Sequence, residues 1–129
     1  MKPVVRSLDH LVLTVADIDA TCAFYQRTLG FGVTTFGAGR KALTFGSQKI
    51  NLHTLDQPVD LKAQTPTPGS GDLCFLTDTP VAEVLGHLES CGVGVLAPPT
   101  ERNGATGTIL SIYFRDPDGN LIEVANPIG

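Results

Sequence analysis

A chain of 129 residues carrying a net charge of -4 is long enough to bury a core of its own and too acidic to be built for nucleic acid or an anionic membrane surface. Its 42% hydrophobic and 17% charged residues are an ordinary globular balance, while 14 Gly and 9 Pro point to many turns and short strands rather than a helical bundle. No apolar run has the length of a membrane span or the shape of a leader, so a cytoplasmic protein is expected. Cys22, Cys74 and Cys91 are scattered, and are expected as small buried hydrophobes rather than as a disulfide framework or a zinc knuckle.

In chain order, residues 8–15 are rich in Leu, Val and Thr and predict a strand. Period two sets Leu11, Leu13 and Val15 on one face and His10, Val12 and Thr14 on the other. Asp17 is a candidate N-cap for a helix over 18–29, with Ile18, Cys22, Tyr25 and Leu29 as its buried stripe and Gly30 as its stop. Three strands are predicted next, over 31–36, 41–45 and 49–54, with glycine turns between them. Residues 57–71 hold Pro58, Pro66, Pro68, Gly69 and Gly71 and read as a linker or a surface excursion.

The pattern then restarts. Residues 72–77 predict a strand, and Thr79-Pro80 an N-cap and first position for a helix to about Cys91, with Val81, Leu85 and Leu88 on its apolar stripe. Residues 93–97, 109–115 and 120–125 predict strands, and 98–107, with two Pro and two Gly, a mobile loop. Asp116-Pro-Asp-Gly119 is a type I turn pattern.

Both halves therefore run strand, helix, three strands. Aligning His10 with Asp72 gives an offset of 62, and aligning His53 with Glu123 gives 70, the difference falling in the longer loop of the second half. So aligned, His10, His53, Asp72 and Glu123 occupy repeat-equivalent positions on first and last strands. Two imidazoles with one or two carboxylates suit one divalent cation, Fe(II), Mn, Ni, Co or Zn. Tyr113, Arg40 and Arg102 are candidate substrate contacts, and His87 reads as a surface residue.

Leu8-Asp-His10-Leu-Val-Leu-Thr-Val, Phe24-Tyr25 before Leu29-Gly30-Phe31, and Tyr113-Phe-Arg-Asp-Pro-Asp-Gly-Asn-Leu-Ile-Glu123 resemble the vicinal oxygen chelate superfamily over essentially the whole chain. That superfamily holds glyoxalase I, fosfomycin-resistance transferases, extradiol dioxygenases and bleomycin-resistance proteins; the likeness is to its glyoxalase-domain-containing and virulence-protein-like group. The resemblance implies an α+β fold of two tandem βαβββ modules, about 6–56 and 70–127, forming a single domain with a curved, cup-like mixed sheet and helices outside. It implies His10, His53 and Glu123 as metal ligands, with Asp72, where the family commonly has histidine, as a fourth ligand or a base, and Glu123 and Asp72 as the catalytic pair. It implies a metal-dependent lyase or isomerase on a small oxygenated substrate, in a homodimer whose sites are shared between chains. A binding protein for a drug or metabolite, and an Fe(II) ring-cleaving dioxygenase, are the alternatives.

Overall fold

The computed structural model describes residues Met1–Gly129 and divides into two compact units, Met1–Pro66 and Thr67–Gly129. In the first, strand β1 (His10–Thr14) is followed by helix α1 (Ile18–Leu29) and strands β2 (Gly32–Phe36), β3 (Arg40–Phe45) and β4 (Gln48–His53). In the second, β5 (Asp72–Leu76) is followed by α2 (Val81–Ser90), β6 (Thr100–Asn103), β7 (Thr108–Arg115) and β8 (Leu121–Pro127). Each unit is a four-stranded mixed sheet, ordered β1-β4-β3-β2 and β5-β8-β7-β6, with first and last strands parallel and the others antiparallel. The expected α+β architecture of two βαβββ modules is therefore the one observed.

Helix α1 begins where Asp17 accepts a bond from the Ala20 amide at 2.9 Å and ends at Gly30 in the left-handed conformation, φ 68°. A side chain is rarely stable there, which is why a glycine stops the helix. Its buried face is broader than the predicted stripe: Thr21, Cys22, Phe24, Tyr25 and Thr28 are buried, while Ile18 and Leu29 are only partly so. Thr21 and Thr28 can sit inside because their hydroxyls donate to the carbonyls of Asp17 and Phe24, four residues back. Tyr25, fully buried, stacks on Phe31 at 5.5 Å, and Phe31 on Phe45 at 4.7 Å. Alternation in β1, β3 and β4 then turns Leu13, Leu43, Ile50 and Leu52 into this core and leaves His10, Val12, Thr14, Asn51 and His53 on the opposite, open face.

In the second unit Ile112, Phe114, Ile122 and Val124 are the buried row of β7 and β8, with Val81, Val84 and Leu88 of α2 in the same core. Three expectations are corrected here. The cap residue of α2 is Pro80, not Thr79; the Val81 amide donates instead to Oδ1 of Asn126, at 2.9 Å, and the Asn126 amide group donates to the carbonyls of Thr77 and Thr79. Residues 93–97 form no strand: Val93 is held by the Leu88 carbonyl and only Leu96 reaches β7, donating to Tyr113. The strand lies instead inside the expected loop, as β6, because Gly104 and Gly107 close a hairpin that returns the chain against β7. Of the cysteines, Cys22 is buried as expected, but Cys74 is exposed and Cys91 intermediate.

The turn Asp116–Asn120 is tighter than a type I pattern alone requires. The buried Asp116 carboxylate accepts from the amides of Asp118 and Asn120 and from the Asn120 side chain, and Asn120 Oδ1 accepts from the Gly71 amide at 2.7 Å. Gly69 packs so closely on this turn that a Cβ would lie 2.5 Å from the Asp118 carbonyl oxygen.

Candidate functional site

The ladder registers decide which polar side chains are neighbours. In the first unit His10 pairs with Lys49, Val12 with Asn51 and Thr14 with His53. In the second, Asp72 pairs with Leu121 and Cys74 with Glu123. With His10 set on Asp72, the last strands superpose at an offset of 72, so the counterpart of Glu123 is Asn51 and not His53. The repeat equivalence drawn between His53 and Glu123 is thus corrected by one rung on the same face. Asn51 Oδ1 is buried and has no hydrogen-bond partner.

The same register separates the two histidines. Their backbones are four rungs apart, about 13 Å along the strand. Their rings are also engaged differently. His10 is exposed, with Nδ1 2.9 Å from Asp9 Oδ2. His53 lines a pocket of about 100 Å³ whose other polar contributors are Thr14, Thr54, Gln57 and Lys62 and whose apolar wall includes Val12, Leu55, Val59 and Leu61. Burial, then the charges of Arg40 and Lys62, hold the His53 imidazole below its ordinary pKa. Two cations beside the ring repel a further dication. Arg40, expected as a substrate contact, therefore stands with His53 in the first unit, whereas Tyr113 and Arg102 belong to the second.

In the second unit the expected residues do come together. Glu123 is flanked across the ladder by Tyr113 of β7 and Cys74 of β5, all on the open face with Ser111. Ser111, fully buried, donates its hydroxyl to Glu123 Oε2 at 2.5 Å. Arg102 on β6 donates Nε to the Tyr113 hydroxyl at 3.1 Å, its guanidinium 5.6 Å from the ring centre. Burial and the Glu123 charge raise the Tyr113 pKa against the opposing pull of Arg102, so the phenol keeps its proton. The Cys74 thiol is pushed up to about 11 by desolvation first, then by the Glu123 charge, its hydrogen bond to Glu123 and the Asp72 charge. Asp72 opens β5 on the same face, exposed. Ser111 and Cys74 escaped the sequence reading, although a Ser two places before Tyr113 on an otherwise apolar strand signals a shared face with Glu123.

As a cation site, the donors fit in part. His10 bonds a carboxylate through Nδ1, the usual support of a metal-ligating imidazole, and Glu123 is a carboxylate oriented by a hydroxyl. In neither unit are three His, Cys, Asp or Glu side chains grouped to hold an ion.

Known proteins place this geometry. The sequence profile of the Glyoxalase/Bleomycin resistance protein/Dioxygenase superfamily matches residues 7–124. Virulence protein STM3117 of Salmonella typhimurium is 53% identical over 97% of this chain and 87% of that protein, and its crystal structure superposes with a TM-score of 0.95, covering 98% of this chain and 100% of that one. The glyoxalase domain-containing protein RDO1 of Mycosarcoma maydis is 55% identical over 95% of this chain and 69% of that protein. More distant structures include a lactoylglutathione lyase from Agrobacterium tumefaciens, 26% identical with TM-score 0.71 over 97% and 96% of the two chains. Another is TnmS3, an antibiotic-binding protein from Streptomyces sp. CB03234, 25% identical with TM-score 0.75 over 98% and 100%. A match of this extent, on two βαβββ modules, makes the chain a member of the glyoxalase, bleomycin resistance protein and dioxygenase superfamily.

Proposed function

We propose that this protein is a metal-dependent enzyme of glyoxalase type, a lyase or isomerase on a small oxygenated molecule, with His10 and Glu123 as protein ligands of one divalent cation. Members of the superfamily commonly use a divalent metal, commonly dimerise and bind small molecules. The observation that carries the reading is the Glu123 carboxylate, set on an open sheet face and oriented by Ser111 rather than cancelled by a cation. A bound cation would polarise two adjacent substrate oxygens. Asp9 fixes the His10 ring by its Nδ1 bond and leaves Nε2 for ligation. Tyr113, protonated and steered by Arg102, is placed to donate to an oxygen that gains charge. Asp72 is the base that moves the proton. His53 takes no part in holding the ion in this reading and belongs to the substrate side.

We further propose a homodimer in which each site draws on both chains. His10→Ala and Glu123→Ala chains, unfolded and refolded together, then give mixed dimers in which one site gathers both defects and the other neither. About half of the mixed dimers' sites regain metal; no recovery in confirmed mixed dimers refutes the shared site.

A second reading, a non-catalytic binding protein, is favoured by the likeness to TnmS3 and by the lack of a three-residue ion cage within either unit. Elemental analysis of the purified protein, followed by a screen of 2-oxoaldehydes and catechols with oxygen uptake recorded, separates the readings. Stoichiometric metal with oxygen-independent turnover supports the lyase or isomerase. Oxygen consumption moves it to a dioxygenase, and a metal-free protein that still binds ligand moves it to the binding class.

A further inference from the structure

The pocket around His53 is lined by residues of the first unit alone, and part of its wall is a stretch with no regular structure. Residues 54–66 fold back along the open face instead of leading away from it. The Thr54 amide donates to Gln57 Oε1 at 2.8 Å, the Gln57 amide to the Thr54 carbonyl at 3.3 Å and the Val59 amide to the Gln57 carbonyl at 2.9 Å. This short turn sets Leu55, Val59, Leu61 and Lys62 around Val12, Thr14 and His53.

The charge of the pocket is one-sided. Lys62 lines it, and Arg40, at the start of β3 and next to the Lys41–Leu52 rung, ends the row in which His53 lies. Neither cation forms a salt bridge; the ion pairs of this unit are Asp9 with His10 and Asp19 with Lys41. No acidic residue lines the pocket, and Asp56, the nearest in sequence, is bonded to the Thr54 hydroxyl. Lys62 and an imidazole in the lining, a second unneutralised cation beside that imidazole, and the aliphatic side chains of the wall match an anionic head on a short apolar stem.

We propose that the Val12, Thr14, His53 and Lys62 pocket binds the carboxylate end of a small molecule with a short aliphatic chain, the carboxylate taken by Lys62 and Arg40 and the chain lying on Val12, Leu55, Val59 and Leu61. The proposal deepens the functional reading, because it assigns the substrate class for that open face, but its test needs neither the metal nor turnover. A carboxylate satisfies the planar Arg40 guanidinium, and the aliphatic wall gives the attached carbons a place that inorganic phosphate does not use. The His53 imidazole, held below its ordinary pKa by burial and the two cations, offers one N–H donor in its neutral form.

The test is a titration of the metal-free full chain with sodium isovalerate, followed by amide chemical shifts. Saturable shifts are expected at Val12, Thr14, His53 and Lys62. Isovaleramide, of the same shape without charge, should not bind in the same range. Lys62→Ala should weaken isovalerate about tenfold, as loss of one charged hydrogen bond implies, while Lys62→Arg should stay within about threefold. Equal binding of the amide, shifts elsewhere on the chain, unchanged affinity in Lys62→Ala, or tighter binding of inorganic phosphate than of isovalerate would each overturn the proposal. His10→Ala and Glu123→Ala should retain isovalerate. A wild-type protein that binds isovalerate yet takes up no metal therefore breaks the enzyme reading and leaves this one standing, and the reverse result does the opposite.

Discussion

The two modules share a topology and even a register, yet put opposite chemistry on their open faces. In the first, β1 and β4 present His10, Asn51 and His53 at spaced rungs, with cations at one end and no acid in the pocket. In the second, β5, β7 and β8 gather Cys74, Ser111, Tyr113 and Glu123 on adjoining rungs around one carboxylate. Duplication of a fold therefore fixes where side chains point without fixing what they carry. The same rung holds a charged donor in one copy, Glu123, and a neutral amide in the other, Asn51.

Exchanging that rung gives the largest expected effect. Glu123→Ala should abolish metal uptake, whereas Asn51→Ala should leave most of it, and His53→Ala should change it by less than about twofold because its backbone lies four rungs, about 13 Å of strand, from that of His10. Asp9→Asn should weaken metal binding by about tenfold through the orientation of His10. Elemental analysis and competitive titration read all four. Full metal content in Glu123→Ala, or loss in His53→Ala, would reverse the assignment between the modules.

The β3–β4 and β7–β8 turns differ as sharply. Gly46 and Ser47 close the first as a two-residue hairpin with Gly46 at φ 51°, and little else is attached to it. The second rests on the buried Asp116–Asn120 pair, which also anchors Gly71. Asn120→Ala should cost about 2–3 kcal/mol, since it strands a buried carboxylate and a backbone amide. Gly46→Ala should cost about 1 kcal/mol, the ordinary strain of a left-handed residue. Urea denaturation of the two variants gives the order directly, and equal losses would mean the turns are equivalent.

Smaller effects report on electrostatics. With its pKa held near 11, Cys74 should alkylate slowly at pH 8, and Glu123→Gln, by removing one of the charges that raise it, should speed iodoacetamide labelling by about threefold. No change would place Cys74 outside the Glu123 field. In the first module the depressed His53 pKa acts on stability. As pH falls through the ordinary value of 6.5, the unfolded ring takes up its proton before the folded one does. Stability from this group is therefore full above that value, is lost as pH falls toward the folded pKa, and is level below it. His53→Gln should flatten this part of the stability profile, and an unaltered slope would assign it to other groups.

Much of this was legible in the chain itself. Periodicity located both helices and seven of the eight strands, and Asp17 and Gly30 marked the ends of α1 through short-range backbone chemistry that any local window contains. The restarting pattern disclosed the two modules, and the lone acid of β8 disclosed Glu123. The eighth strand, β6, was hidden because its residues Thr-Glu-Arg-Asn carry no apolar alternation; it exists because β7 offers an unpaired edge and a glycine turn leads to it. Rung assignments were hidden for a related reason. Two strands far apart in sequence slide past each other without altering their own patterns, so only the closed ladder decides whether Glu123 answers to His53 or to Asn51. The fold of residues 54–66 over β1 and β4 was hidden too, since a segment rich in proline carries no signal of where it comes to rest. Local sequence determined the elements and their faces, because those depend on near neighbours; the tertiary structure determined the neighbours across strands, because these depend on packing that no single segment contains.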